Sequence, residues 1–383
     1  MLPRSSLILL AVSALLHAYV GVRLLPHLPG GAAVDVGGTL FLALSAVLTP
    51  APLIFRVSRR GRDGEMLAWT GYLLMGLFSS LLVLTWVREA LLLAAWVANA
   101  VEPGLVALDA LRRYSALAVV LVTGLVTVIG LFNARRRARV VDVDIPIAGL
   151  PDDLDGFTIV QISDLHVGPT IKRGYLDAIV RKVNALSADV VAITGDVVDG
   201  SVARLKAHVE PLGRLVARHG VYCVTGNHEY YSGVESWIAE WRRLGLRVLL
   251  NQNAVVGEEG ARVLIAGVTD YSAHHYADAH RSDPGAALHG APRDVAVKVL
   301  LAHQPRSASA AARAGFDVQL SGHTHGGQFL PWNWFVRFQQ PFTAGLHRLH
   351  SLWVYTSRGT GYWGPPVRFC APSEITRVRL VVG

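Results

Sequence analysis

The sequence predicts two unlike regions, a bundle of membrane-spanning helices over residues 1–139 and an α/β domain over residues 140–383. Three observations predict this division. Four long apolar runs, nearly or wholly free of charge, lie before residue 133. Residues 1–140 hold 13 Arg, no Lys and 6 Asp plus Glu, a net of +7, whereas residues 141–383 hold 23 Lys plus Arg against 22 Asp plus Glu, a net of +1. After residue 155 an apolar, strand-like run repeatedly ends in Asp, Asn or His, and a helical stretch often follows. The mean hydropathy of +0.37 is high for a soluble chain, and the excess belongs to the first region.

The apolar runs define the first region. Leu7 to Leu25 is interrupted only by Ser13, His17, Tyr19 and Arg23, and Val36 to Phe55, Met66 to Val87 and Tyr114 to Phe132 carry no charge. Each approaches the roughly 20 residues that cross a hydrocarbon core as a helix. A cleaved leader is the alternative for the first run, but three further spans favour a retained anchor. A fifth run, Ala90 to Ala100, is too short to cross alone and either extends the third helix or lies at the interface. The charged pair Arg88-Glu89 is read as a break before it. Arg56–Arg62 and Arg135–Arg139 each contain four Arg, with two spans between them. They therefore share a side, which the positive-inside rule makes cytoplasmic. Arg88, Arg112 and Arg113 oppose that orientation. Cys223 and Cys370, the only cysteines, make no disulfide framework.

In the second region Val140–Ile145 alternates like a strand and Phe157–Ser163 reads as a buried strand ending in Asp164-Leu165-His166. A helix is expected over Arg173–Leu186 and a strand over Asp189–Thr194, which ends in Gly195-Asp196. Ser201–His219 reads as a helix capped by Ser201. Val221–Thr225 is a strand ending in Gly226-Asn227-His228-Glu229, and a helix follows over Val234–Leu244. Strands are expected at Arg262–Ala266, at Val295–Leu301 before Ala302-His303, and at Phe316–Leu320. Leu352–Thr356 and Ile375–Val382 are late strands, and 257–260 and 274–289 read as loops.

After Phe316–Leu320 comes Gly322-His323-Thr324-His325-Gly326-Gly327-Gln328. In extended chain the two histidines would point the same way, at one polar centre. Alone, this stretch is as readable as a polar turn. Five strand ends bearing Asp and His, Asp, Asn and His, His, and His twice are better read as one centre, since open α/β sheets build sites at strand C-termini. Asp164, His166, Asp196, Asn227, His303, His323 and His325 offer seven oxygen or nitrogen donors. A tetrahedral zinc takes four, so seven suits two divalent ions. Mixed carboxylate, imidazole and amide donors without thiolate favour Mn, Fe or Zn over Ca or Mg. His228, next to Asn227, is a candidate acid for a leaving group; an eighth ligand or a cap is its alternative.

Asp164-Leu165-His166, Gly195-Asp196, Gly226-Asn227-His228-Glu229, His303 and Gly322-His323-Thr324-His325 resemble, in order and spacing, the motifs of calcineurin-like metallophosphoesterases. The likeness covers residues 155–383 and is greatest to the bacterial membrane-associated branch. It implies an α/β/β/α sandwich, here preceded by an N-terminal transmembrane helical bundle. It further implies a metal-dependent phosphoric ester hydrolase whose first metal is held by Asp164, His166 and His325. The second would be held by Asn227, His303 and His323, with Asp196 bridging and His228 serving the departing oxygen. The expected substrate is a phosphodiester or pyrophosphate, with a lipid among the candidates, because UDP-diacylglucosamine hydrolases share the motif set. The expected setting is multi-pass in a bacterial plasma membrane, with the catalytic domain cytoplasmic.

Two rivals stand beside this reading. One is a tethered phosphodiesterase for a soluble substrate; the near-neutral second region argues against long nucleic acid. The other is a membrane sensor or scaffold without activity, whose expected mark, a broken ligand set, is absent. Asp199 reads as a partner of a ligand or as a helix charge. His274, His275 and His280 read as a solvated loop, and Tyr230, Tyr231, Trp237, Tyr362 and Trp363 as core or pocket wall. Arg358 reads as a phosphate contact or a surface turn.

Overall fold

The computed structural model describes residues 3–54, 62–329 and 332–383. It divides into two compact units, Met1–Phe132 with Gly364–Val367, and Asn133–Trp363 with Arg368–Gly383.

The first unit is helical: α1 (Arg4–Leu24), α2 (Gly31–Leu48), the single turn α3 (Ala51–Ile54), α4 (Arg62–Val101) and α5 (Leu108–Arg135), which runs on into the second unit. Four helical stretches, Arg4–His27, Gly31–Ile54, Gly64–Val101 and Leu108–Arg135, are long and apolar enough to cross a membrane. Val20, Leu24, Leu42, Phe78, Leu81 and Val119 form their shared core. Leu15, Val22, Leu40, Leu121, Val128 and Phe132 stay exposed, as side chains meeting lipid would. Several buried polar groups inside are paired. His17 bonds Ser13 O at 2.7 Å through Nδ1 and Ser45 Oγ at 3.0 Å through Nε2.

The expected break at Arg88-Glu89 is not there; α4 passes through it. Arg88 is buried and donates to Arg23 O, Arg112 O and Ser115 Oγ at 3.1 Å each, and to Glu89 at 2.7 Å. Its charge is thus compensated by carbonyls and one carboxylate, and need not end the helix. Ala90–Ala100 accordingly extends the third helix, whose 40 residues run about 60 Å at ~1.5 Å each. The basic residues Arg56, Arg59 and Arg60 lie outside the described residues.

The second unit contains β1 (Arg139–Ile147), β2 (Thr158–Ile162), β3 (Val190–Thr194), β4 (Val221–Val224), β5 (Arg247–Val248) and β6 (Gln252–Val256). There follow β7 (Val263–Gly267), β8 (Val297–Leu301), β9 (Val318–Ser321), β10 (Gly345–Leu349), β11 (Leu352–Thr356) and β12 (Glu374–Val382). Its helices after α5 are α6 (Arg173–Asn184), α7 (Val202–Val209), α8 (Asn227–Ser232), α9 (Val234–Arg243), α10 (Ala308–Ala314) and α11 (Trp332–Phe335). The strands form two six-stranded mixed sheets, ordered β1-β12-β2-β3-β4-β5 and β10-β11-β9-β8-β7-β6. β2 to β5 are parallel in the first, and β7, β8, β9 and β11 in the second.

Strand register sorts side chains between faces. Ile159 stands opposite Val190 and Ala192 opposite Tyr222, and all four face the second sheet, packing with Val263, Ile265, Val299 and Leu320. Val160, Val191 and Val221 turn outward against Leu176, Ile179, Trp237 and Trp241 of α6 and α9. On the far side Leu264, Leu300 and Val354 meet Ala308 and Ala311 of α10. Helix, sheet, sheet, helix is the expected sandwich. Strands buried on both faces read as unbroken apolar runs, which is how Val190–Thr194 and Val221–Val224 read.

Several elements differ from expectation. The Ser201–His219 helix stops at Val209 and passes into a 3₁₀ turn, Glu210–Arg214, because Pro211 has no amide to donate. Ser201 sits at the N-cap without a side-chain cap bond. β6, β10, α8 and α10 were not expected; β6 and β10 are short antiparallel edges, α8 is one polar turn and α10 is mostly alanine.

Candidate metal centre

The site lies where parallel strands of both sheets end. β2 delivers Asp164 and His166, β3 Asp196, β4 Asn227 and His228, β8 His303, and β9 His323 and His325. Five of these residues leave their strand in the left-handed region: Asp164 at φ 54°, His166 at 49°, Asp196 at 52°, His323 at 70° and His325 at 52°. For residues with a Cβ this conformation is strained, and neighbouring backbone holds it. The amides of Asp164 and His166 donate to Gly195 O and Asp196 O at 3.0 and 3.1 Å, and the His323 amide donates to Asp164 Oδ1 at 3.0 Å. Gly322 permits this closeness, since a Cβ there would stand 2.2 Å from Asp164 Oδ2.

The two histidines of the glycine-fenced stretch do not share a centre, contrary to the extended-chain expectation, because both sit in left-handed backbone. His325 joins Asp164 and His166, and His323 joins Asp196 and His303. His166 Nε2 faces His325 Nε2 at 3.1 Å, and His303 Nε2 faces His323 Nδ1 at 3.2 Å. His166 donates its other nitrogen to Asp199 Oδ1 at 3.0 Å, and His303 to Thr194 O at 2.7 Å. Those bonds orient both rings so that each Nε2 points inward. Asp196 Oδ2 lies between the groups, 3.2 Å from His303 Nε2, 3.8 Å from His166 Nε2 and 3.9 Å from His228 Nε2. Asn227 Oδ1 is buried without a hydrogen-bond partner. Inward imidazole nitrogens, a shared carboxylate and an orphaned amide oxygen fit two divalent cations.

The electrostatics agree. Burial and then His303 beside it hold His323 down to about 3, and burial with His166 and the Arg368 guanidinium beside it holds His325 well below the usual imidazole range, so both stay neutral and able to bind a cation. Burial alone would raise Asp196, but His303 and His228 outweigh it and keep the carboxylate ionised. Asp164, with weaker cationic company, is pushed up by burial. His228 would be lowered by burial, yet Asp196 and Asp199 lift it to about 9 before any ion's charge is added. Its Nδ1 donates to Asp199 Oδ1 at 2.5 Å, leaving Nε2 toward the centre.

Asp199 is therefore a shared partner of His166 and His228. Two further residues, Glu229 and Arg368, have roles that the sequence pattern does not announce. Glu229 accepts the amides of Asp196, Val197 and Gly226 at 3.0, 2.8 and 2.7 Å, tying the β3 and β4 loops together. Arg368 is fully buried, donates to the carbonyls of Gly361, Ala371 and Arg358, and lies 3.1 Å from His325 Nδ1. An arginine inside the apolar stretch Pro365-Pro366-Val367-Arg368-Phe369 was its only signal. Arg358 is not free for phosphate; it pairs with buried Glu374 at 3.0 Å. Tyr230, Trp237 and Tyr362 are core, whereas exposed Tyr231 and Trp363 stand 5.1 and 5.7 Å from the His228 ring. Among the described residues the candidate ligand groups do not include His274, His275 or His280.

The chain matches the profile of the family described as calcineurin-like phosphoesterase over residues 157–327. Over 360 residues it is 39% identical to a transmembrane protein with metallophosphoesterase domain from Bos taurus, spanning 90% of this chain and 79% of that protein. The protein of the same description from Danio rerio is 40% identical over 277 residues, which span 70% of this chain and 63% of that one. An uncharacterized metallophosphoesterase of Campylobacter jejuni is 31% identical over 350 residues, 89% of each chain. The relatives are thus animal as well as bacterial, a wider group than the bacterial branch.

Glu229 touches no donor atom of an ion, yet it sets the spacing of Asp196 and Asn227. Glu229→Ala is expected to weaken metal retention ~10–100-fold, and Glu229→Gln, which keeps one acceptor oxygen, to lose less. Metal content after graded chelator dialysis checks this; wild-type retention in Glu229→Ala contradicts it.

Proposed function

The chain belongs to the calcineurin-like phosphoesterase family, and from that premise we propose a membrane-anchored hydrolase that cleaves a phosphodiester or pyrophosphate of a lipid with two divalent ions. The observation that carries the reading is the pair of imidazole confrontations at 3.1 and 3.2 Å around one buried carboxylate. Asp164, His166 and His325 would hold one ion, Asn227, His303 and His323 the other, and Asp196 would lie between. Bound there, Mn, Fe or Zn would supply charge neutralisation for the phosphoryl oxygens and activation of the attacking water.

The protein's own groups do the rest. Asp164 and Asp196 repel an anionic ester unless their charge is balanced, so binding is coupled to metal loading. Asp199 keeps the His228 imidazole charged and turned, with Nε2 inward to give its proton to the leaving oxygen. Tyr231 and Trp363 flank that ring and limit its access to bulk water. Asp196→Asn is expected to lose metal and turnover together. His228→Ala should keep most metal while kcat falls ~10²–10⁴-fold, and less for an ester with a good leaving group. Two ions per chain and wild-type turnover in Asp196→Asn would end the assignment.

Two features support a substrate at the bilayer. Four spans exceed what anchoring requires, since one helix anchors irreversibly. Asp164 also follows Arg139 by only 25 residues, and residues 140–147 and Thr158–Ile162 of that interval are strand. Basic residues near a membrane surface contribute about 1 kcal/mol each toward anionic lipid. The full chain in mixed micelles should therefore show higher kcat/KM for long-chain than for short-chain versions of one headgroup. Equal values for every tested headgroup would point to a soluble ester instead.

The catalytic unit is assigned to the cytoplasm. The continuity of α4 supports it, because an even number of spans then separates the two basic stretches. A reporter active only in the cytoplasm should work when fused after Gly383. Protease cleavage of the domain from outside intact cells would refute the orientation.

A further inference from the structure

Residues 332–343, a loop with short helical turns, are tied to the loops of the metal centre. Thr324, between the two histidines of the β9 loop, donates its hydroxyl to Thr343 O at 2.6 Å. Gln340, buried, donates to Gln304 Oε1 at 3.1 Å, and Gln304 follows His303. Gly327 lets the loop return close, since a Cβ there would lie 2.0 Å from Asn333 Cα. Gln328 in turn exchanges two bonds with the backbone of Trp363, at 3.0 and 3.1 Å, and the Trp363 ring stands beside His228. The loop is therefore part of the frame that holds His303, His323 and His325.

The middle of this framed loop is strongly apolar and faces water. Trp332, Trp334, Phe335 and Phe338 are 47%, 58%, 51% and 80% exposed, within seven residues of sequence. Three of their rings adjoin, Trp332 to Phe335 at 5.9 Å and Phe335 to Phe338 at 6.5 Å. Single exposed apolar side chains are ordinary, but a contiguous aromatic patch marks an interaction surface. Trp favours the headgroup level of a bilayer, and Arg337, set among these rings, suits anionic headgroups. The same chain carries four helices long and apolar enough to cross a membrane, which favours a bilayer as the occupant of the patch.

We propose that Trp332–Phe338 is a membrane-docking element whose aromatic side chains enter the headgroup layer of the bilayer, bringing the loops of the metal centre to that layer. This rests on the location of the metal centre but not on the identity of its substrate, and docking is read without turnover. The full-length Cys370→Ser, Phe338→Cys chain, labelled at the new cysteine with an environment-sensitive fluorophore, is placed in nanodiscs of phosphatidylcholine and phosphatidylglycerol. Cys223 is buried and stays unlabelled. Emission should be lost to a lipid bearing a nitroxide just below its headgroup and kept in aqueous iodide. The same label at exposed Val216, introduced as Val216→Cys, should behave oppositely. Iodide quenching without lipid quenching at Phe338 overturns the proposal. Protection from both quenchers that disappears with one chain per disc also overturns it, assigning the patch to a second copy. Lipid quenching at Phe338 together with equal kcat/KM for long- and short-chain esters would leave docking standing and remove only the lipid-substrate reading.

Discussion

Asp196 is 2% exposed, and a carboxylate so far from water stays charged only when cations or donors surround it. The C-terminal domain meets that condition with imidazoles drawn from both sheets. His166 and His228 come from the first sheet and His303 from the second, all within 4 Å of one oxygen. The other oxygen takes the His228 amide at 2.9 Å. The site therefore exists only along the line where the two sheets meet, and the Ile159, Val190, Val299 and Leu320 layer between them sets its width.

Holding the donors there works against local preference. Asp164, His166, Asp196, His323 and His325 each occupy a backbone region that typically costs ~1–3 kcal/mol for such residues. Glu229 and Arg368 oppose the strain from two directions. The first gathers amides under the β3 and β4 loops; the second gathers carbonyls under the loop that follows β11. Each is a buried ionisable group whose bonds hold backbone.

How much was legible follows from what each feature depends on. Parallel strands such as Val190–Thr194 are buried on both faces, so they stood out as apolar runs, and the donors after them were visible as breaks. The four spans were equally plain from length. The grouping of His323 apart from His325 depends on backbone torsion, which residue spacing does not report; it came from the family resemblance alone. The passage of α4 through Arg88 was hidden because its compensating carbonyls, on Arg23 and Arg112, are remote in sequence. Edge strands β6 and β10 are short and partly polar, so their pattern carries little signal. Arg368 was invisible because its partners are carbonyls, which every residue has.

The pairing of β12 has a consequence for how the protein is made. β12 lies between β1 and β2, parallel to β1 in a register that joins Arg139 to Glu374. The first sheet thus waits for a strand synthesised after all the others. While the ribosome works through β2 to β11, β1 has no neighbour and β2 has one bare edge, in a chain whose earlier helices are suited to leave the aqueous phase. Contacts so distant in sequence form slowly, and an unpaired strand edge invites association with other chains. Expression of this protein is therefore a contest between late closure of one sheet and early aggregation, decided after membrane insertion has already begun.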